Sequence, residues 1–171
     1  SNLTSADGQL FVAKLDSNGD YLYAKQMGGT GTDRSNALAV DGAGNVYTTG
    51  YFSGTADFDP DAGITNLTSV GSNDVFVSKL DVTGALVWAR QFGGSQADEA
   101  FDITVDAGGN AYLTGRFSGT ADFDPGAGTL NLTSAGNQDG FVTHLDSTGN
   151  LVWTRQTGGT GQDQGGGIAR D

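Results

Sequence analysis

Phe76-Val-Ser-Lys-Leu-Asp-Val-Thr-Gly-Ala-Leu-Val-Trp-Ala-Arg-Gln91 is the stretch that decides the fold. It occurs again, changed in detail, as Phe11-Val-Ala-Lys-Leu-Asp-Ser-Asn-Gly-Asp-Tyr-Leu-Tyr-Ala-Lys-Gln26 and as Phe141-Val-Thr-His-Leu-Asp-Ser-Thr-Gly-Asn-Leu-Val-Trp-Thr-Arg-Gln156. Each copy holds two short apolar and β-branched runs around an Asp-x-x-Gly segment, which places glycine where a tight hairpin needs positive φ. The three Phe residues are spaced at 65 residues, and 11–75 aligns with 76–140 without gaps at about 35 identical positions. Self-similarity at a fixed period means stacked units, each unable to bury its apolar face alone.

Outward from the hairpin, two more strands are predicted in each unit. One covers Asp102 to Asp106, with counterparts at 37–41 and 167–171; the other covers Ala111 to Phe117, matching Val46 to Phe52. Four antiparallel strands in a meander describe a propeller blade. A bare blade needs roughly 40–50 residues, and the excess falls in 53–75 and 118–140. There Thr120–Asp124 and Leu130–Ser134 alternate well enough to pair as an extra small hairpin. The fold class is therefore all-β, in β-propeller-type blades of four antiparallel strands. The expected organisation is 1–33 as the second half of a preceding blade, 34–98 and 99–163 as full blades with inserted acidic loops, and 164–171 as the first strand of the next. Propellers close with about 4–8 blades, so 171 residues suit a piece of a longer array; an open stack, or closure by several copies, is the alternative.

Composition agrees and removes whole classes of function. The net charge is −12, from 20 acidic and 8 basic residues, which disfavours sequence-independent binding to phosphate backbones and docking on anionic lipid. No apolar run approaches the length of a transmembrane helix. Cysteine is absent, so thiolate chemistry and a disulfide frame are unavailable. No signal peptide is read at the start, which opens in polar sequence. Glu99 is the single glutamate, and Asp with Gly and Asn is the composition of turns and of oxygen-ligand loops.

The string Asp-x-x-Gly-Asn-x-Tyr-x-Thr-Gly (41–50 and 106–115), then Phe-Ser-Gly-Thr-Ala-Asp-Phe-Asp-Pro, Leu-Thr-Ser, Phe-Val-x-Lys-Leu-Asp and Trp-x-Arg-Gln-x-Gly-Gly, resembles the SBBP family of β-propeller repeats. That resemblance covers essentially the whole chain. It implies a propeller in a secreted or surface protein of bacteria, and it implies no reaction, because the family has no common catalytic residues to carry over. Tyr23 replaces the tryptophan of positions 88 and 153, and His144 replaces the lysine of positions 14 and 79.

The leading site candidates are the acidic loops holding Asp57, Asp59 and Asp61, and Asp122 and Asp124. On an extended segment Asp57 and Asp59 share one face while Phe58 takes the other, so the two carboxylates could jointly hold calcium, the one expected cofactor. The competing reading is a capped Asp-Pro turn. Asp16-Ser17-Asn18-Gly19-Asp20 begins like a calcium loop, but its copies lose the oxygen ligands, which favours a hairpin turn. Asp33, Asp98 and Asp163 each follow a Gly-Gly pair without a helix or a lysine, so no phosphate cradle is built; they read as satisfying local amides. Lys25, Arg90 and Arg155 are expected to pair with a neighbouring blade's aspartate rather than with an anionic sugar. Trp88 and Trp153 are expected to pack between blades. His144 reads as a surface variant, and Asn2, Asn66 and Asn131 as strand residues. No nucleophile–base–orienter set can be assembled. The function read from the sequence is a non-catalytic, adhesion-type structural or binding module of a bacterial secreted or cell-surface protein. Its expected partners are further copies of the repeat and a glycan or protein on the cell surface, with no nucleic acid and no membrane insertion. A fragment of a glycoside-active or quinone-dependent propeller enzyme, and a passive spacer, are the alternatives.

Overall fold

In the computed structural model, which describes residues 9–170, every regular element is a strand. Each repeat copy begins with a hairpin: β1 (Leu10–Leu15) with β2 (Tyr21–Gly29) in the first. Between them Asp16 Oδ1 accepts the N–H groups of Asn18 and Asp20, and Gly19 sits at φ 86°. An aspartate that bonds its own turn and a glycine free of Cβ strain close the hairpin. Next come β3 (Asp33–Val40) and β4 (Val46–Phe52), joined through the same device at Asp41 and Gly44.

The insertion then forms a short hairpin, β5 (Thr55–Asp57) and β6 (Asn66–Thr68), before β7 (Asp74–Leu80) and β8 (Leu86–Gly94) complete the unit. The second full unit repeats the sequence of elements: β9 (Glu99–Val105), β10 (Ala111–Phe117), β11 (Thr120–Asp122), β12 (Asn131–Thr133), β13 (Asp139–Leu145) and β14 (Leu151–Thr157). Strands β3–β4–β7–β8 form one antiparallel blade and β9–β10–β13–β14 the next. All strands pair antiparallel, and the sheets do not close into a ring.

The inserted hairpin leaves its own blade. Strand β11 pairs with β8 of the preceding blade, Ala121 with Gly94 and Asp122 with Gly93, and β5 pairs with β2 in the same way. It thereby covers an outer edge that would otherwise present unpaired backbone groups. Glycine is required at the contact, because a Cβ on Gly94 would collide with the Thr120 carbonyl oxygen. The expected hairpin is present, but its destination is a finding of the structure.

Two apolar layers lie between successive sheets. Leu10, Val12, Met27, Phe52, Phe58 and Phe76 fill the first; Tyr47, Trp88, Phe92, Phe117, Phe123 and Phe141 belong to the second. Phe58 and Phe123, brought by the acidic loops, are fully buried against neighbouring rings.

One expected strand has no ladder among the described residues. Residues 167–170 form no strand. Gly165 donates to the Gly115 carbonyl of β10 and Ile168 to Asp102 Oδ2 of β9, so the segment is held to the last blade by these two bonds. No strand among the described residues offers it a ladder. Residue 171 and the first eight residues, with the expected Asn2 strand, lie outside the described residues.

Candidate functional site

The acidic loops form the outer rim of each junction. Asp57 Oδ1 accepts the N–H groups of Asp59 and Thr65, at 3.0 and 2.8 Å, and Asp59 Oδ1 accepts that of Asp61. Asp122 and Asp124 repeat this on Asp124, Leu130 and Gly126. Asp61 forms an ion pair with Lys25 on the preceding outer strand. Asp57 and Asp59 share a cleft of about 220 Å³ with Gln26, Gly28 and Pro60; Asp122 and Asp124 share one of about 200 Å³ with Asp74, Gln91, Gly93 and Pro125. Among the described residues no three acidic or histidine side chains converge on a metal-holding point. The turns close by carboxylate-to-amide bonds, which need no cation.

Beneath this rim lies a pair of buried carboxyls that the sequence did not reveal as a pair. Asp74 and Asp98 are both buried. Asp98 Oδ2 accepts the Gly94 N–H at 2.7 Å and Oδ1 the Ser118 N–H at 3.0 Å, tying the end of β8 to the end of β10. Asp74 Oδ2 accepts from Val70 N–H and Gln91 Nε2, while its Oδ1 has no partner among the described residues. The position a Cβ would take on Gly93 is 3.0 Å from Asp74 Oδ1 and 3.0 Å from Asp98 Oδ2, so the carboxyls face each other across a glycine. Burial pushes Asp98 up to about 7, with the like charges of Asp74 and Glu99 adding to it against two backbone hydrogen bonds. Burial also raises Asp74. In the first junction Gln9 stands where the second has Asp74, opposite Asp33, whose carboxyl burial raises as well. The repeat thus accommodates a neutral group at one member of the pair. The 65-residue recurrence of Asp at 74 and 139, beside the Asp-after-Gly-Gly series, was the available signal.

The third feature is a clamp on the opposite side of the outer hairpin. Lys79 Nζ and Trp88 Nε1 donate to the Ser147 carbonyl, at 3.4 and 3.1 Å; Arg90 Nε donates to Gly149 and its Nη2 to Thr148. The next blade's turn is therefore gripped by its carbonyls, at Gly149 with φ 82° against the Trp88 ring. One junction earlier, Lys14 Nζ donates to Val82, and Tyr23 and Lys25 flank Gly84. The expectation that position 90 pairs with a neighbour's aspartate is corrected: its partners are carbonyl oxygens, and only Lys25 finds a carboxylate. Trp88 packs between blades as expected.

His144 is half-buried and stacked on Tyr112 at 4.2 Å, which a surface variant would not be. Glu99, without a repeated counterpart, pairs with Arg116 at 2.9 Å. Asn66 and Asn131 are strand residues. Asp146, the turn aspartate of the last hairpin, is held down at about 2, first by the Thr148 hydroxyl and then by backbone N–H groups.

Meandering four-stranded blades at a 65-residue period meet a direct counterpart among known families: residues 22–58 and 87–120 match the SBBP beta-propeller repeat. Two segments of the chain are thus SBBP beta-propeller repeats. Each SBBP match runs from an outer strand across the junction to the inserted hairpin of the following blade, so the sequence motif marks a junction more than a blade. The chain is 32% identical over 138 residues to "Regulatory protein FlaEY" of Caulobacter vibrioides, covering 78% of this chain and 14% of that protein. It is 26% identical over 165 residues to "Uncharacterized WD repeat-containing protein L264" of Acanthamoeba polyphaga mimivirus, covering 90% of this chain and 12% of that protein. The chain thus spans well under a fifth of either relative.

Proposed function

We propose that this SBBP array is a non-catalytic structural and binding module of a secreted or cell-surface bacterial protein, adhesion-type in its use. The observation that carries the reading is the repeated junction cleft. Two copies have matching linings of Gln, Gly, two Asp and Pro, and the polar groups beneath them are engaged in holding blades together. Equivalent shallow, acid-rimmed clefts at a fixed spacing suit a ligand that itself repeats, such as a polyhydroxylated glycan or a chain of amine-bearing residues. The names of the two relatives, a regulatory protein and a WD repeat protein, support a scaffold over an enzyme.

Binding of the purified chain to glycan and peptide arrays tests the reading. Retained ligands that are lost with Asp122→Asn/Asp124→Asn support it; uniformly blank arrays reduce the role to that of a spacer. Protease shaving of intact cells carrying the full-length protein tests the location, and protection of the repeat from external protease overturns it. Calcium is tested separately by melting chelator-stripped protein with millimolar calcium. A higher Tm, abolished by Asp57→Asn/Asp122→Asn, assigns a cation to the loops; an unchanged Tm leaves amide bonds as their fasteners.

A further inference from the structure

At the second junction the segment leading into β7 lies against the one leading into β9. Asp98 N–H donates to the Asn73 carbonyl at 2.9 Å, and Asn73 bridges Ala97 in parallel. Asp74 and Asp98 end these two segments, and they are 0% and 1% exposed. Asp98 takes one N–H on each oxygen, from Gly94 and from Ser118, and Asp74 Oδ2 takes Val70 N–H and Gln91 Nε2. Asp74 Oδ1 is left buried without a partner among the described residues, opposite Asp98 Oδ2 across Gly93. The neighbouring charges do not neutralise the pair. Glu99 of β9 is engaged with Arg116 of β10, Asp122 of β11 and the following Asp124 line the cleft above, and Arg90 of β8 donates to the next blade's turn. From β8 the cleft receives only Gln91, Phe92 and Gly93. Two buried carboxylates so placed repel each other, and one proton held between them removes the repulsion and gives Asp74 Oδ1 a partner.

The pair sits where the inserted hairpin is fastened. Ser118, whose N–H is held by Asp98, leads into β11, and β11 joins β8 through only two residue pairs, Ala121 with Gly94 and Asp122 with Gly93. Gly93 is also the residue that separates the two carboxyls. The cleft above has one wall on each side of this short ladder: Asp74, Gln91 and Gly93 on one, Asp122, Asp124 and Pro125 on the other. The same few contacts therefore cover the carboxyls and assemble the cleft.

We propose that Asp74 and Asp98 share one proton and act as a proton-operated latch on the inserted hairpin. With the proton in place, Ser118–Asp122 stay joined to β8; its loss favours parting of the ladder, which lets water reach both carboxylates. The sign follows from linkage, because the closed junction holds a proton that the opened one releases, so rising pH favours opening. Burial, which pushes Asp98 up to about 7, sets the window just above neutrality. Parting of the ladder separates the two walls, so the cleft is whole in acid and loosens above neutral pH. The latch needs both carboxyls, and the first junction, with Gln9 at the position of Asp74, lacks one of them. It is a property of the junction and does not depend on what the cleft binds.

Amide hydrogen exchange followed by NMR from about pH 5 to about pH 8.5, corrected for the intrinsic rate at each pH, tests the latch. The reporters are Gly94 N–H and Ser118 N–H, both bonded to Asp98. Their protection is expected to be lower than that of the β9–β10 ladder, flat in acid, and to fall about tenfold per pH unit above neutrality, the slope for release of one proton. Asp98→Asn is expected to abolish the fall. Asp74→Gln, the residue the repeat itself carries at position 9, is expected to start the fall at lower pH, because an amide donor replaces the like charge. Should Asp98→Asn fail to fold, the shift with Asp74→Gln carries the test. Three results would overturn the proposal: reporter protection that ignores pH, protection equal to that of the β9–β10 ladder throughout, or an onset that Asp74→Gln leaves in place. The first denies the proton, the second a local opening, and the third the sharing.

Discussion

Asp98 is a residue whose chemistry folding alters strongly. Its carboxyl rises from near 3.8 to about 7 in the folded chain, chiefly because burial penalises the charge. The folded state then holds a proton that the unfolded state has lost over the window from about 4 to about 7. Stability linked to this group is fully present below the lower value and declines as pH rises through the upper one. Asp74 and Asp33, also raised by burial, act in the same direction. Thermal melts from acid to neutral pH should therefore show Tm falling as pH approaches 7, and Asp98→Asn should flatten that slope. A slope unchanged by Asp98→Asn would show that the proton is held elsewhere. The sequence made this aspartate legible as an acceptor for nearby amides, which it is. Its burial and its opposite carboxyl depend on Asp74, which folding brings across Gly93, and local spacing does not report that.

At the scale of elements, the inserted hairpin is the part that makes successive blades inseparable. Its strands were visible in the alternation of Thr120–Asp124 and Leu130–Ser134, but its pairing with the preceding blade was not, because that contact is made by backbone groups at Gly93 and Gly94, with no side-chain pattern. A glycine doublet such as Gly93-Gly94 is what an edge strand needs to admit another backbone closely. The failure of 167–170 to form a strand has the same root: a strand is defined by its ladder, and a sequence pattern alone does not supply the partner. The hairpin is pinned by Phe123, buried against Phe92, Phe117 and Phe141. Phe123→Ala should cost about 3–5 kcal/mol in chemical denaturation. Because Phe123 packs against strands of both blades, the loss should appear as one lowered transition for both. Two separated transitions would show that the blades unfold independently.

The whole molecule behaves as a line of junctions, each fastened by a hairpin on the outer edge, a carboxyl beneath it and a turn in a clamp. In such an array stability is approximately the sum of unit and nearest-neighbour terms, so one substitution has different consequences inside the line and at its end. Arg90 and Arg155 occupy the same repeat position, but Arg90 donates to Thr148 and Gly149 across a junction, while among the described residues Arg155 donates only to the carbonyl of adjacent Thr154. Arg90→Ala should destabilise the isolated chain by about 1.5–3 kcal/mol, the range for hydrogen bonds that involve a charged group. Arg155→Ala should leave the dilute monomer within about 0.5 kcal/mol of wild type, as a surface substitution does. Urea denaturation at low concentration separates the two. Equal losses would mean that the guanidinium acts through its own blade, and the turn-in-clamp account of the junction would then fail.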